Sequence, residues 1–484
     1  MKLSALLKNL KYKCIGNADV EITGLCYDSR AVEKGDLFFC IKGYAVDGHK
    51  FAHAAADAGA ACLVVSEKQD VDAVQIVVDD TREAMALISA NYYGNPADKL
   101  TMIGVTGTNG KTTTTYMLKK ILETAGRRVG LIGTIECIIG NKRMHSERTT
   151  PESMDLQRML SEMLEVGCDS VVMEVSSHSL YLKRVFGIKF SGAIFTNLTQ
   201  DHLDFHKDMD DYADAKAILF DNASVCAINA DDSYSQKMLA HAKQTAVTFG
   251  IKNKAKYMAR DINLNHDGSR FVLAADEFRI PILIGIPGGF SVYNALGAIA
   301  LCLAMGIDLI NVKKGIEAVE NVPGRFQSLN AHSKGFSIIL DYSHTPDSLE
   351  TALKTVREFA KGRVICVFGC GGNRDRKKRP IMGEISGRLA DFSIVTSDNP
   401  RFEQPCDIID EILVGIKPTG AEYVTIENRR EAIKYALQYA KEGDVILLAG
   451  KGHEDYQEIC GVKHPFDEKV IVEELLRELY PNDK

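Results

Sequence analysis

Between an apolar run and an amphipathic stretch the chain carries Gly104-Val105-Thr106-Gly107-Thr108-Asn109-Gly110-Lys111-Thr112-Thr113. Glycines let a backbone curl until its N–H groups point at phosphate oxygens. The amino end of a following helix adds partial positive charge, and a lysine neutralises the terminal phosphates. Lys111 suits that last role, and the hydroxyl of Thr112 or Thr113 suits a Mg²⁺ ion. The spacing departs from the general phosphate-loop pattern at Val105, which stands six residues before the lysine where glycine is usual; glycines fall at 104 and 107 instead. Binding of ATP or GTP by Gly107, Thr108, Asn109, Gly110, Lys111, Thr112 and Thr113 is the expectation. Such a loop serves kinases, GTPases, helicases and ligases alike, so it does not name a reaction.

Other polar clusters follow apolar runs. Glu174 ends the run DSVVMEV and precedes Ser176, Ser177 and His178; it could bind magnesium or cap the next element. His202, Asp204 and His206 alternate within TNLTQDHLDFH, which taken alone fits either a zinc site or a solvated strand face. Four more clusters lie in the last third: Asp341-Tyr342-Ser343-His344-Thr345-Pro346, Gly371-Gly372-Asn373-Arg374-Asp375, Asp398-Asn399-Pro400-Arg401 and Gly450-Lys451-Gly452-His453-Glu454. Each follows a strand-like run, and open α/β sheets bind ligands at the carboxyl ends of their strands, so a second substrate site is expected there.

The elements that must position these groups read as α/β. Residues 1–97 hold strand-like runs (DLFFCI, ACLVVS, AVQIVV) and end in the turn-rich Tyr93-Gly94-Asn95-Pro96. From Leu100 strands and helices alternate, with helices expected over residues 111–126 and 153–167, which implies a parallel sheet. A helix begins near Ser291, and a second boundary falls at Asn321-Val322-Pro323-Gly324-Arg325. Beyond it the alternation restarts as a second doubly wound sheet. Three domains are expected: residues 1–97, 98–325 and 326–484.

Composition narrows the class. At 484 residues the chain exceeds what one core usually serves, and 45% hydrophobic with 25% charged residues is the profile of a soluble α/β enzyme. A formal charge of −7 argues against general affinity for nucleic acid or anionic membrane. Twelve scattered cysteines show neither disulfide nor zinc-finger spacing. The amino terminus lacks the pattern of a secretory signal and no apolar run reaches about 18 residues, so a cytoplasmic protein with no membrane insertion is expected; a monomer is expected as well. No fixed-period repeat or low-complexity tract is present.

GTNGKTT, EVSSH, TNLTQDHLDFH and YADAKAILF resemble, in order and spacing, the ATP-binding domain of the Mur ligases. The resemblance implies a small UDP-binding α/β domain, a central P-loop ATPase-like domain and a carboxy-terminal Rossmann-like domain. In that family the lysine matching Lys216 is carbamylated, CO₂ converting an amine into a carboxylate-like anion. By the same carry-over Thr112 and Glu174 would hold one Mg²⁺, His202 and carbamylated Lys216 the other, and Lys111, Lys216, His202 and Glu174 form the catalytic set. Asn294 matches an adenine-contacting asparagine. Tyr27 and Ser29 lie in a stretch, with GDLFFCIKG, that resembles the UDP-binding part, and Thr149, Thr150, Ser176 and Arg184 match residues that hold the muramoyl dipeptide.

The last third resembles the family's carboxy-terminal domain, in which DNPR marks members that accept meso-diaminopimelate. That amino acid carries a carboxylate lysine lacks, and a guanidinium can grip it bidentately, so Arg401 is the expected specificity residue. Arg374, Asp398, Asn399, Pro400, Gly450 and Glu454 match the other amino-acid contacts. Ser343, Leu182 and Gln327 depart from the family pattern, Leu182 standing where some members have a glutamine able to hydrogen-bond substrate. The implied reaction activates the D-glutamate γ-carboxylate of a UDP-N-acetylmuramoyl dipeptide as an acyl phosphate, which the amine of meso-diaminopimelate attacks. The alternatives are a lysine-adding or folylpolyglutamate-type ligase and, in another class, a nucleotide-regulated binding protein.

Overall fold

The computed structural model describes residues 1–43, 46–146, 148–329 and 334–481. They form two compact units: Met1–Lys256 with Gly297–Val312, and Tyr257–Leu296 with Lys313–Lys484. The architecture is α/β with largely parallel sheets, as the strand-helix alternation predicts.

The first unit begins with a five-stranded sheet in the order Lys13–Ile15, Val74–Val77, Cys62–Val65, Leu37–Phe39, Leu25–Cys26, parallel except for its first pair. A larger sheet then places Thr101–Thr106 at its centre, between Ser170–Glu174 and Phe190–Phe195, all parallel. Met102, Ile103 and Val105 are fully buried, because helices cover both faces of such a strand and leave it no solvated side. Ala223–Asn229 and Thr245–Gly250 extend the sheet on one side. Val129–Ile132 continues it on the other, followed by the antiparallel hairpin Glu136–Ile139 and Lys142–His145.

The helix Lys111–Thr124 starts from Gly110, at φ +84, and is closed by Gly126, at φ +86; left-handed glycines at both ends set its bounds. It buries Met117, Leu118, Ile121 and Leu122 against the sheet, and trimming one of them to alanine would cost about 3 kcal/mol. That anchoring fixes its amino end, and with it the phosphate loop.

In the second unit Tyr257–Asn265, Gly268–Ala274 and Arg279–Ile284 form an antiparallel meander. A six-stranded sheet follows in the order Gln327–Leu329, Ser337–Asp341, Val445–Ala449, Val364–Phe368, Phe392–Val395, Tyr423–Thr425. Only its first pair is antiparallel. Insertion of Val445–Ala449 between Ser337–Asp341 and Val364–Phe368 makes a topological switch point, and the four polar clusters lie beyond the strands' carboxyl ends around it. Among the described residues no helix is long and apolar enough to cross a membrane.

Candidate active site

In the first unit three neighbouring strand ends build one site. The central strand delivers the loop 107–110, its partner delivers Glu174, and Phe190–Phe195 leads into Thr196 and Asn197. Gly107 has φ +151, and a side chain there would collide with Thr196 Oγ1. Asn109 N–H donates to Asn197 Oδ1 at 2.9 Å, Thr196 Oγ1 donates to the Asn109 carbonyl at 2.7 Å, and Thr108 N–H donates to the Asn197 carbonyl at 2.8 Å. The loop is thus held by the following strand's end and not by its own sequence alone.

Lys111 Nζ donates to the carbonyls of Gly107 and Thr108 at 3.0 and 2.7 Å. Lys216, wholly buried, donates to the same Gly107 carbonyl at 2.9 Å, with Nζ 4.4 Å from the Tyr212 ring centre. Burial, and then the charge of Lys111, hold the Lys216 amine well below its ordinary range. Thr112 and Thr113, also buried, sit in the helix's first turn.

Glu174 is fully buried, and its carboxylate accepts from Thr134 N–H at 2.8 Å and Thr134 Oγ1 at 3.0 Å. It does not cap the next helix; Ser176 does, accepting from Ser179 N–H at 3.1 Å. Thr149 reaches Thr134 Oγ1 at 3.0 Å, and Thr150 donates to the Glu174 carbonyl at 2.9 Å. Thr149, Thr150, Ser176 and Glu174 therefore form one hydrogen-bonded patch. Arg184 joins it, donating to the Thr150 carbonyl at 3.0 Å.

The alternation at 202, 204 and 206 is neither a strand face nor a set of converging ligands. His202 has φ +54, which breaks the period of two, and His206 turns inward to Asp211 at 3.1 Å and Ser177 at 3.0 Å. His178 packs edge-on to His202 with ring centres 4.8 Å apart. Burial holds both rings below the usual imidazole range: His178 sits at about 4, with His202 and His206 adding to the shift, while at His202 the charges of Lys111 and Lys216 add to it. Among the described residues no group of three His, Cys, Asp or Glu side chains is placed to hold a metal ion by itself.

Beside this patch a cavity of about 340 Å³ is lined by Tyr27, Arg148, Glu152, Asp155 and Arg158, among others. Tyr27 OH donates to Asp155 at 2.6 Å, and burial with that carboxylate raises the phenol above its usual range. Glu152 draws Arg148, Arg184 and Arg82 to within 2.6, 3.0 and 3.3 Å. Sequence reading missed Glu152, Arg82 and Arg148 because nothing local marks a cluster whose charges come from the 148–152 loop, the helix Thr81–Tyr92 and the turn that carries Arg184. Ser29 lies in a short 3-10 turn capped by Asp28, half-buried. Leu182 closes the short helix Ser177–Tyr181, its N–H donating to the His178 carbonyl at 2.8 Å, while its apolar side chain has no hydrogen-bonding group.

In the second unit Asn399 is the hub. Its Nδ2 donates to Glu454 at 2.9 Å, while its Oδ1 accepts from Lys451 Nζ at 2.9 Å and from Glu458 N–H at 2.9 Å. Lys451 is fully buried and also reaches Glu454 at 3.2 Å. Burial alone would raise the Asp398 carboxyl, but Lys451 and Arg429 overcome it and hold it low. Gly450, at φ +119, lies where a side chain would come 2.7 Å from Asp398 Oδ2. Arg401, following Pro400, donates to Glu458 at 3.0 Å and to the Gly372 carbonyl at 2.9 Å. Buried Arg379 braces that turn from behind, bonding the Gly371 carbonyl at 3.2 Å and Glu403 at 2.9 Å.

Arg374 is exposed at the same Gly371 turn, and among the described residues no hydrogen bond or ion pair joins it to this network. Asn294 is buried within the helix Gly289–Ala304, its Nδ2 without a hydrogen-bond partner among the described residues. Ser343 is buried and donates to Asp341 and to the Ser348 carbonyl, and Gln327 accepts from Gly324 N–H at 3.0 Å, so both departures serve local structure.

A phosphate loop with two lysines on one carbonyl, on a doubly wound sheet beside a buried carboxylate, defines a nucleotide-dependent enzyme. The family follows from matches along the chain: Mur ligase family, catalytic domain, over residues 21–93; Mur ligase middle domain over residues 105–302; and Mur ligase, glutamate ligase domain, over residues 324–452. The chain belongs to the Mur ligase family and is an ATP-dependent ligase. Its relatives include the UDP-N-acetylmuramoyl-L-alanyl-D-glutamate--2,6-diaminopimelate ligase of Clostridium botulinum, 49% identical over 99% of this chain and 100% of that protein. The UDP-N-acetylmuramoyl-L-alanyl-D-glutamate--2,6-diaminopimelate ligase 1 of Clostridium acetobutylicum is 50% identical over 99% of this chain and 100% of that protein. A solved structure bearing that name superposes with a TM-score of 0.71 at 33% identity, covering 95% of each chain.

Proposed function

We propose that the chain adds meso-diaminopimelate to the D-glutamate γ-carboxylate of UDP-N-acetylmuramoyl-L-alanyl-D-glutamate in the cytoplasm, acting as a monomer. The observation that carries this reading is the carboxyl-edge network of Asp398, Asn399, Arg401, Lys451 and Glu454, which sets cations beside carboxylates as an amino acid with two charged ends requires. Full-length relatives that carry this name support it.

The roles divide over three regions, residues 1–97 for the UDP end, 98–325 for ATP and 326–484 for the amino acid. Tyr27 and Ser29 serve the first, Asn294 the adenine, and Thr149, Thr150, Ser176 and Arg184 the dipeptide. The Gly107–Gly110 amides and Lys111 hold the triphosphate. Transfer of the γ-phosphoryl group to the γ-carboxylate releases ADP; attack by the neutral amine on the acyl carbon then releases phosphate, and the amine's proton leaves with it. Asp398, Asn399, Pro400, Arg401, Arg374, Gly450 and Glu454 hold the incoming amino acid.

The family implies two Mg²⁺ ions and a carbamate on Lys216, and the residues fit them. Glu174 is a buried carboxylate whose hydrogen-bond donors are the neutral groups of Thr134, a setting that favours a cation. Burial holds the Lys216 amine well below its ordinary range, which favours the neutral form that reacts with CO₂, and the carbamate so formed would lie beside Lys111. Thr112 and Glu174 would hold one ion, His202 and the carbamate the other; the ions would supply charge neutralisation at the transferred phosphoryl group.

Phosphate release measured with each substrate omitted in turn tests the reading. Release is expected only when the UDP-dipeptide and meso-diaminopimelate are both present. Equal release with lysine in place of diaminopimelate, or hydrolysis indifferent to both substrates, would overturn it.

A further inference from the structure

Arg401 sits in the left-handed region at φ +52, which costs a residue with a side chain about 1 kcal/mol and has to be held in place. The hairpin strand Tyr456–Ile459 and the turn after it hold it three ways. Arg401 N–H donates to the Glu458 carbonyl at 3.0 Å, Cys460 N–H donates to the Arg401 carbonyl at 2.7 Å, and Arg401 Nε donates to Glu458 Oε2 at 3.0 Å. Glu458 N–H in turn donates to Asn399 Oδ1 at 2.9 Å, so this one residue ties Arg401 to the hub of the amino-acid network.

On the other side the Gly371-Gly372 turn limits the guanidinium. Nη1 donates to the Gly372 carbonyl at 2.9 Å, and a side chain at Gly371 would come within 2.9 Å of Nη1. The plane of the guanidinium is therefore fixed by Glu458 on Nε and the turn on Nη1, while Nη2 makes no hydrogen bond among the described residues. A bidentate grip on a carboxylate depends on that plane, and a long side chain ordered in advance loses less freedom on binding.

We propose that Glu458 is a positioning residue that sets selectivity for an amino acid with a distal carboxylate by fixing the guanidinium of Arg401. The proposal rests on the reading of Arg401 as the carboxylate-gripping residue. The opposite role, an internal anion that the substrate must displace, would give the opposite sign on mutation.

Steady-state KM values for diaminopimelate, ATP and the UDP-dipeptide, measured for wild type, E458A, E458Q and R401A, test it. E458A is expected to raise KM for diaminopimelate about tenfold, the effect of losing one charge-assisted hydrogen bond, with kcat and the other two KM values held within about twofold. E458Q, whose amide oxygen still accepts from Nε, should recover part of the loss. An unchanged or lowered KM for diaminopimelate in E458A, or a joint rise in all three, would overturn the proposal. If R401A leaves the diaminopimelate KM unchanged, the reading of Arg401 itself fails. If R401A raises it while E458A does not, that reading stands and only the positioning role falls.

Discussion

Lys111 and Lys216 share one acceptor: their Nζ atoms lie 3.0 and 2.9 Å from the carbonyl oxygen of Gly107. Two ammonium groups on one carbonyl repel at close range, and the buried one yields its proton first. Lys216 is the buried one. The geometry thus favours Lys111 as the cation of the pair and Lys216 as the amine more readily neutralised.

Lys216→Met should separate chemistry from stability. It removes the amine that would carry the carbamate, so phosphate release is expected to fall at least about 100-fold. Burial holds the folded amine well below its ordinary range while the unfolded one protonates normally, so unfolding takes up a proton between the depressed folded value and the ordinary lysine pKa. Methionine abolishes that uptake, and the thermal midpoint should hold or rise. A lower midpoint, or near-normal turnover, would count against this arrangement.

His178 should impose a pH dependence on stability. Its ring is held at about 4 in the folded chain, by burial and then by His202 and His206, against an ordinary 6.5. Between those values the unfolded state binds more protons, so stability falls as pH drops from 6.5 toward 4. With the ring about half in contact with solvent, the slope is worth about 1 kcal/mol. Urea midpoints at pH 5 and 7 should differ less in His178→Gln than in wild type; equal differences would remove His178 as the cause.

Glu152 balances three arginines, and its loss should be felt in two ways. Its carboxylate meets Arg148, Arg184 and Arg82 at 2.6, 3.0 and 3.3 Å. Glu152→Ala would leave those cations facing one another at a largely buried site, costing about 2–3 kcal/mol in chemical denaturation. With Arg184 no longer oriented, KM for the UDP-dipeptide should rise while KM for ATP stays. Wild-type stability in the variant would show that solvent, not Glu152, screens the cluster.

These pairings mark what the sequence does and does not disclose. The phosphate loop was legible because its glycines, lysine and threonines are consecutive and its fold is local. Strand-helix alternation likewise placed the helix Lys111–Thr124 and the parallel strands around it. By contrast, Lys216 lies 109 residues from the carbonyl it bonds, and family resemblance alone pointed to it. Glu152, Arg82 and Glu458 are ordinary charges until tertiary contacts choose their partners. The inward turn of His206 was hidden as well, since one left-handed residue at His202 cancels a pattern that reads as alternating. The hairpins Glu136–Ile139 with Lys142–His145 and Tyr456–Ile459 with Val462–Pro465 have strands of only four residues, too short to stand out from loops.

Lys451 joins the amino-acid site to its core. Its Nζ, wholly buried, lies 2.9 Å from Asn399 Oδ1 and 3.2 Å from Glu454, and its charge helps keep the buried Asp398 ionised against the cost of burial. Lys451→Met keeps the volume but removes the cation. Asn399 then loses a donor, its amide is free to flip, and Asp398 and Glu454 face each other less well compensated. The expected result is a rise of about tenfold or more in KM for diaminopimelate, since a lost charged hydrogen bond is worth about 1.5–3 kcal/mol. A stability loss of about 2 kcal/mol should accompany it, as for any buried carboxylate deprived of a partner. Because a general unfolding of this unit would also raise KM, the measurement needs Asn399→Ala alongside. If Lys451 acts through Asn399, the double variant should be little worse than either single one, whereas fully additive losses would mean that the two residues act independently.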